Sequence, residues 1–391
     1  MHDETETLNQ VLGVKTGNWT IEDVRKVIPA HLHRRNTWRG LMYYARDVVL
    51  IACLWYLATR IAPTLHRLED VYGWNHNFTR MGEWLFWMAY WVIQGLSFTA
   101  FWIIGHECGH NSVADSRLLC DSLGFVAHSF LLTPYFSWKI SHHRHHVYHG
   151  SLERDVVYVP KTKSQTPFAH DDHPTEETPA YTLFRLVRRQ VIAFTAYLVW
   201  NATGQPDHPP TSNHFNPNAR IFQASQRNAI ILSDAGIAAM LYLLTHSVRT
   251  WGFANVFMYY GIPWLFVNHW IAMITFLHHT DPTLPHYRGS AWSYTRGAVA
   301  TLDRDFLGWA GRFFFHDVSH YHIVHHLFPK MPFYNCKEAT DYLKLCIGKD
   351  YRRSDKPVFK AMWHNFNECI YVDDIGDVLF WRNRKGEQAK A

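Results

Sequence analysis

Three short stretches of this sequence concentrate histidine at helical spacing: His106 and His110 in GHECGHN, His142, His145 and His146 in SHHRHHVYHG, and His322, His325 and His326 in HIVHHLF. Positions i, i+3 and i+4 lie on one side of an α-helix, so each stretch presents its imidazoles together. Neutral imidazole is a nitrogen donor to transition metals, and this many donors exceed what a closed, four-coordinate structural zinc site takes. Two metal ions are the simplest use for them, provided the fold gathers clusters that are remote in sequence. Ligand type alone suits zinc, iron, copper and nickel alike. The number of nitrogens matches two irons held mainly by imidazole, with positions left where dioxygen can bind.

Other readings compete. The first cluster is literally HExxH, the pattern of a zinc-dependent membrane protease with His106 and His110 on the metal and Glu107 as general base. That reading needs one further ligand and leaves both HxxHH clusters without a role. A membrane protein that binds or transports metal without catalysis is a third reading, opposed by the scarcity of acids and histidines within the apolar runs. Soluble di-iron bundles use Glu-x-x-His pairs, and of the clusters only Glu107 with His110 has that spacing. Metal content separates these classes: two irons for oxygen chemistry, one zinc for hydrolysis. Isolated residues such as His31, His66, His76, His208 and His364 read as ordinary hydrogen-bonded histidines.

The clusters must be positioned by the apolar segments beside them. The 391 residues are 48% hydrophobic and 16% aromatic, with 17 Trp, which favours one membrane-embedded unit over two soluble domains because Trp and Tyr collect at membrane interfaces. A mean hydropathy of -0.21 is then an average over greasy spans and a polar remainder holding most of the 28 His. The net charge of +5 suits a face that meets anionic lipid and is too small for nucleic acid. The cysteines form no CxxC and no regular framework, which places the polar mass on a reducing side of the membrane. The acidic start MHDETETLNQ is not a cleaved signal peptide, so internal spans direct targeting.

In chain order, TGNWTIEDVRKVIPAHL reads as an amphipathic helix with Thr20 as N-cap and Asp23 three residues on. Arg34, Arg35, Arg39 and Arg46 precede the first apolar run, Val48 to Ala62, and place the N-terminus in the cytosol. The second span, Trp84 to Gly105, carries no charge. Continued to His110 it is about 40 Å long against about 30 Å of hydrocarbon, so His106 and His110 emerge on the cytosolic side. Leu123 to Trp138, broken by Pro134, is too short to cross and reads as an interfacial or re-entrant segment. Residues 160 to 227 form a polar connection with one apolar stretch, Val191 to Trp200, at the interface. Ala229 to Thr245, with the isolated acid Asp234, and Phe253 to Leu277, with a kink at Pro263, complete four crossings. That number puts every cluster on one side, and no further span follows residue 286.

The surroundings of the clusters add a resemblance. The stretches GHECGHNSVADS, PYFSWKISHHRHHVYHGSLERDVVYVP, ITFLHHTDPTLPHY, RGAVATLDRDF and HIVHHLFPKMPFYNCKEAT are similar to the membrane-bound fatty acid desaturases, specifically the Δ12/ω3 acyl-lipid branch and most closely its fungal members. The similar regions run over roughly residues 95 to 350. The resemblance implies an all-α integral membrane protein with four transmembrane helices and a cytosolic cap holding a histidine-rich di-iron centre. It implies one domain over residues 1–391: a cytosolic arm at 1–45, the transmembrane helices with the first two histidine boxes at 46–280, and the cap with the third at 281–391. The implied location is the endoplasmic reticulum membrane, with the histidine boxes and both termini cytosolic.

The activity implied is insertion of a cis double bond, Δ12-type or ω3-type, into an already monounsaturated C18 chain carried on lipid or coenzyme A. O2, two iron ions, and cytochrome b5 with its NADH-dependent reductase are the implied partners; the donor is a separate protein, since no HPGG haem motif is present. Residue by residue, the resemblance makes His106, His110, His142, His145, His146, His322, His325 and His326 iron ligands and adds His279 in TFLHHTDP as a ninth. His316 in FFHDVSH also matches a family histidine and is expected to orient a ligand by a hydrogen bond. Glu107, Glu153, Asp155, Asp303, Arg304 and Asp305 are candidates for the same support. The acyl chain implies an apolar tunnel, for which Trp84, Phe86, Trp87 and Trp91 are candidate linings, although each suits a lipid-facing position better. Asn111, His143, His320 and Tyr321 depart from the family wording and are not read as ligands. Acetylenases, conjugases and hydroxylases share the scaffold, and the motifs do not separate them from desaturases.

Overall fold

The computed structural model describes residues 19–166, 178–209 and 211–390. The acidic N-terminal stretch, residues 1–18 of the expected cytosolic arm, lies outside the described residues. The expected amphipathic helix is α1 (Ile21–Val27). Thr20 caps it: its hydroxyl accepts from the Asp23 N–H at 3.2 Å, and the Asp23 carboxylate accepts from the Thr20 N–H at 2.9 Å. Val24 and Val27 bury against Val324, Leu327 and Leu343, so this short helix packs beside the third histidine cluster.

Four helical stretches are long and apolar enough to cross a membrane, as the sequence led us to expect: Thr37–Tyr72, His76–Gly109, Ala224–Trp251 and Phe253–His279. The first differs from its expected bounds. It comprises α2 (Thr37–Ala58) and α3 (Ile61–Tyr72), so Arg39 and Arg46 lie within the helix and not ahead of it. The helix can start in polar sequence because its polar residues turn inward. Arg46 bonds the Asp47 carboxylate and the Phe313 carbonyl, and Asp47, fully buried, accepts from His316 at 2.7 Å.

Gly73, at a φ of 65°, ends α3 and turns the chain into α4 (His76–Gly109), whose 34 residues carry the first cluster at their end. At 1.5 Å per residue such a helix is about 51 Å long, well beyond the hydrocarbon thickness. The interfacial segment is a helical hairpin, α5 (Arg117–Phe130) and α6 (Tyr135–Tyr148), broken just before Pro134. The imidazole of His128 donates to the Trp102 carbonyl at 3.0 Å and locks α5 onto α4. The expected polar connection contains a full helix, α7 (Pro179–Trp200), which packs against the last span.

Helices α8 (Arg227–Trp251) and α9 (Phe253–His279) are joined by Gly252 alone, at a φ of 83°. Pro263 follows closely on a π-turn at Phe257–Gly261. Proline lacks the N–H that would bond four residues back, and the Tyr259 carbonyl is taken instead by the Tyr90 hydroxyl at 2.8 Å.

The cap follows with short helices α10 (Tyr294–Ala298), α11 (Gly308–Phe314) and α12 (His322–Leu327), then α13 (Cys336–Ile347) and α14 (Val358–Glu368). Two pairs of two-residue strands staple it: β1 (His286–Tyr287) with β4 (Val378–Leu379), antiparallel, and β2 (Asp303–Arg304) with β3 (Arg353–Ser354), parallel. Arg304 is fully buried and ties the cap to the end of α9, donating to the Leu277 carbonyl and to Asp281.

The α4–α9 crossing depends on Gly95, where an added Cβ would lie 2.4 Å from the Phe266 Cβ. Gly95→Ala improves helix propensity by about 1 kcal/mol yet overpacks the crossing by about 1–3 kcal/mol. We expect net destabilisation, read as a lower thermal unfolding midpoint in detergent; an equal or higher midpoint contradicts this packing.

Candidate metal centre

Four helix ends converge on one place. His106 occupies the last turn of α4 and His110 its C-cap, His142, His145 and His146 lie along α6, His279 ends α9, and α12 carries His322, His325 and His326. All nine histidines expected as ligands gather there, in sets whose donor nitrogens lie within 4.8 Å of one another. One set is His106, His110, His142, His146 and His325, another is His279, His322 and His326, and a third joins His145 and His279 to His149.

His149 was not read from the sequence. Its signal was present: it stands four residues after His145, the spacing used to group the others, and follows α6 as its C-cap.

Three of the rings, His106, His145 and His322, are held by the nitrogen that faces away from the centre. The carboxylate of Glu107, itself fully buried, accepts from His106 Nδ1 at 3.0 Å, lies 3.8 Å from His325 Nδ1, and accepts the Ser112 hydroxyl at 2.7 Å. Asp155 accepts from His145 Nδ1 at 2.9 Å, and the Val318 carbonyl accepts from His322 Nδ1 at 3.3 Å. A carboxylate can only accept here, so Nδ1 carries the proton and Nε2 presents a lone pair inward.

Those inward nitrogens are close: His106 and His142 at 2.9 Å, His142 and His146 at 3.0 Å, His322 and His326 at 3.1 Å, and His145 and His279 at 3.3 Å, each between Nε2 atoms. The Nε2 atoms of His110 and His325 are buried without a protein partner. Two nitrogens bound at right angles to one ion at about 2.1 Å stand about 3.0 Å apart, so the spacing fits metal ligation. Burial, then the neighbouring imidazoles, holds His110, His142, His146, His322 and His326 well below the ordinary histidine range. Burial also pushes His325 down to about 3. The rings are therefore neutral, the form that binds metal.

Two of the supporting acids are where the resemblance put them, Glu107 and Asp155, and a third works indirectly. Asp303 accepts the Ile323 N–H at 2.9 Å and the Tyr351 hydroxyl at 2.7 Å, fixing the start of α12. The others require correction. The His316 bond goes to Asp47, away from any clustered histidine, because both are buried together where α2 meets the cap. Glu153 reaches Arg288 and Asp305 reaches His320; both acids are solvated and bond no clustered ring. Glu107 is not a free general base, since its oxygens are committed to His106 and Ser112, and the HxxHH clusters are not idle. The one-zinc hydrolase reading fails on both counts. Asn111, His143 and His320 lie outside the cluster, and so does His278, whose two nitrogens both face backbone carbonyls.

A cavity opens onto the centre. Its wall combines Trp102, Trp138, Phe194, Ile271 and Phe276 with five of the histidines: His106, His142, His145, His279 and His322. The aromatics Trp84, Phe86, Trp87 and Trp91 lie elsewhere, with Trp84 and Phe86 exposed.

The pattern of known proteins agrees with this geometry. The family model for fatty acid desaturases matches residues 83–356. The chain is 40% identical over 380 residues to a Delta(12) fatty acid desaturase of Mortierella isabellina, covering 93% of this chain and 90% of that protein. It is 39% identical over 389 residues to an endoplasmic reticulum omega-6 fatty acid desaturase of Brassica juncea, covering 98% and 96%. It is 38% identical over 399 residues to an oleate hydroxylase of Claviceps purpurea, covering 94% and 81%. The chain belongs to the fatty acid desaturase family. It is an oxidoreductase.

Three outcomes test the site. Asp155→Ala frees the His145 ring and should lower metal affinity about 10–100-fold, by metal analysis after chelator challenge; undiminished retention contradicts the role of Asp155. His143→Gln should keep both metal and activity, because this ring is exposed. For pH, the unfolded chain titrates near 6.5 and the folded rings below it, so the unfolded chain binds protons first. Stability from these rings is present above about pH 6.5 and is lost below it. The melting midpoint of metal-free protein should therefore fall between about pH 7 and pH 5, and a flat profile would exclude buried neutral rings.

Proposed function

We propose that this chain is a membrane-embedded, di-iron Δ12-type acyl-lipid desaturase, with residues 1–391 acting as one domain. The observation that carries the proposal is the apolar cavity whose wall is completed by five metal-capable histidines. It supplies a water-poor channel for a hydrocarbon chain that passes directly beside the centre. His106, His110, His142, His146 and His325 hold one iron, and His145, His279, His322 and His326 hold the other. When bound, the two irons supply activation of O2 and the oxidising power to remove two hydrogens from neighbouring methylenes.

The protein's own residues do the rest. Glu107 and Asp155 keep protons on the outward nitrogens so that the inward ones remain donors. Trp102, Trp138 and Phe194 exclude water and fix the chain against the centre. The substrate is an already monounsaturated C18 chain, and the donor of electrons is cytochrome b5 with its NADH-dependent reductase.

Exposed apolar side chains on the spanning helices, among them Trp55, Leu57, Leu241 and Leu243, support insertion in a bilayer, here that of the endoplasmic reticulum. Four crossings leave the histidine centre and both termini in the cytosol.

The Claviceps purpurea relative favours one second reading, hydroxylation of the same chain. Expression in a yeast that lacks polyunsaturated fatty acids, followed by gas chromatography with mass spectrometry, decides between them. We expect a C18 diene that disappears in His322→Ala. A hydroxylated C18 product selects the second reading, and no new product from folded, iron-loaded protein overturns the proposal.

A further inference from the structure

The centre holds one more imidazole than the proposed nine. His149 is 3% exposed and stands among three proposed ligands of the second iron, with ring centroids 4.9 Å from His145, 4.5 Å from His279 and 4.7 Å from His326. One donor nitrogen of each of His145, His149 and His279 lies within 4.8 Å of the others.

Its orientation is built, not incidental. His149 Nδ1 lies 2.8 Å from the Gly297 carbonyl, an atom that can only accept, so Nδ1 is protonated and Nε2 carries a free lone pair. This is the arrangement found at His145 and His322, where Asp155 and the Val318 carbonyl play the same part. It is unlike His278, which faces carbonyls on both nitrogens. The His149 backbone is fixed as well: its carbonyl accepts from Trp292 Nε1 at 3.0 Å, and Gly150 follows at a φ of 73°. The approach of α10 is close enough that a Cβ on Gly297 would lie 2.1 Å from the His149 carbonyl oxygen.

We infer that His149 is a tenth metal ligand, joining His145 and His279 on the second ion. His149 is absent from the wall of the acyl cavity, so it occupies a position turned away from the substrate. The inference rests on the di-iron reading above and concerns the coordination of one ion only.

The test uses the purified full chain loaded with 57Fe and Mössbauer spectroscopy of the reduced protein. In His149→Ala we expect one of two iron subspectra to shift while the other is unchanged, and the affected iron to be lost to a chelator at least about tenfold faster. Added imidazole should restore the spectrum. His149→Gln, whose amide can keep the bond to Gly297, should lose the same nitrogen signature and so separates ligation from packing. Two irons with wild-type spectra in both variants would overturn the assignment of His149 and leave the di-iron reading standing. A wild-type chain carrying a single zinc overturns both.

Discussion

Lone pairs pointing at one another in a buried space are the constraint on which this structure depends. Imidazoles removed from water cannot keep a charge cheaply, and burial holds His110, His146 and His326 well below the ordinary histidine range. Neutral rings with Nε2 atoms about 3 Å apart repel unless something between them accepts electron density. A metal ion between them would make the arrangement favourable. The outward nitrogens must then carry the protons, which is why a fully buried Glu107 and a nearly buried Asp155 are tolerated at all.

Holding such an arrangement requires elements stiffer than loops. The centre is made from helix ends, and α4 extends past any hydrocarbon slab in order to deliver His106 and His110 at a fixed height. The hairpin of α5 and α6 brings the second cluster back to the same level, and the His128 bond to Trp102 sets its depth. The last span ends at His279 itself, so the same helix that lines the acyl cavity supplies a donor. The histidine centre and the cavity therefore share their supports.

The cap is bound to the spanning helices by buried polar links as well as by packing. Arg304 joins the end of α9 to the strand pair that precedes α12. His316 serves a different joint, between Asp47 on α2 and the loop after α11. Each such group is costly to bury alone, and each is satisfied only when both layers are in register. The register of the third cluster over the first two follows from these links together with the Glu107 contacts to His106 and His325.

Much of this was legible before any coordinates. Helical spacing identified eight of the clustered histidines, the run lengths counted four helices apolar enough to cross a membrane, and Thr20 with Asp23 marked the first helix. These are local properties, written in a few adjacent residues, and a single sequence displays them. The start of α2 was misjudged because Arg46 and Asp47 look like a polar flank until the cap is present to receive them. His149 shares the four-residue spacing from His145, but the contacts that fix its ring and backbone come from Gly297, Trp292 and His279, all more than a hundred residues away. His316 and Glu153 were credited with roles that their actual neighbours do not allow. The sequence by itself determined which side chains were able to bind metal and which segments were apolar enough to carry them. Only the tertiary structure decided which of those side chains meet, because the four helix ends that carry them are brought together by packing and buried polar links between distant parts of the chain.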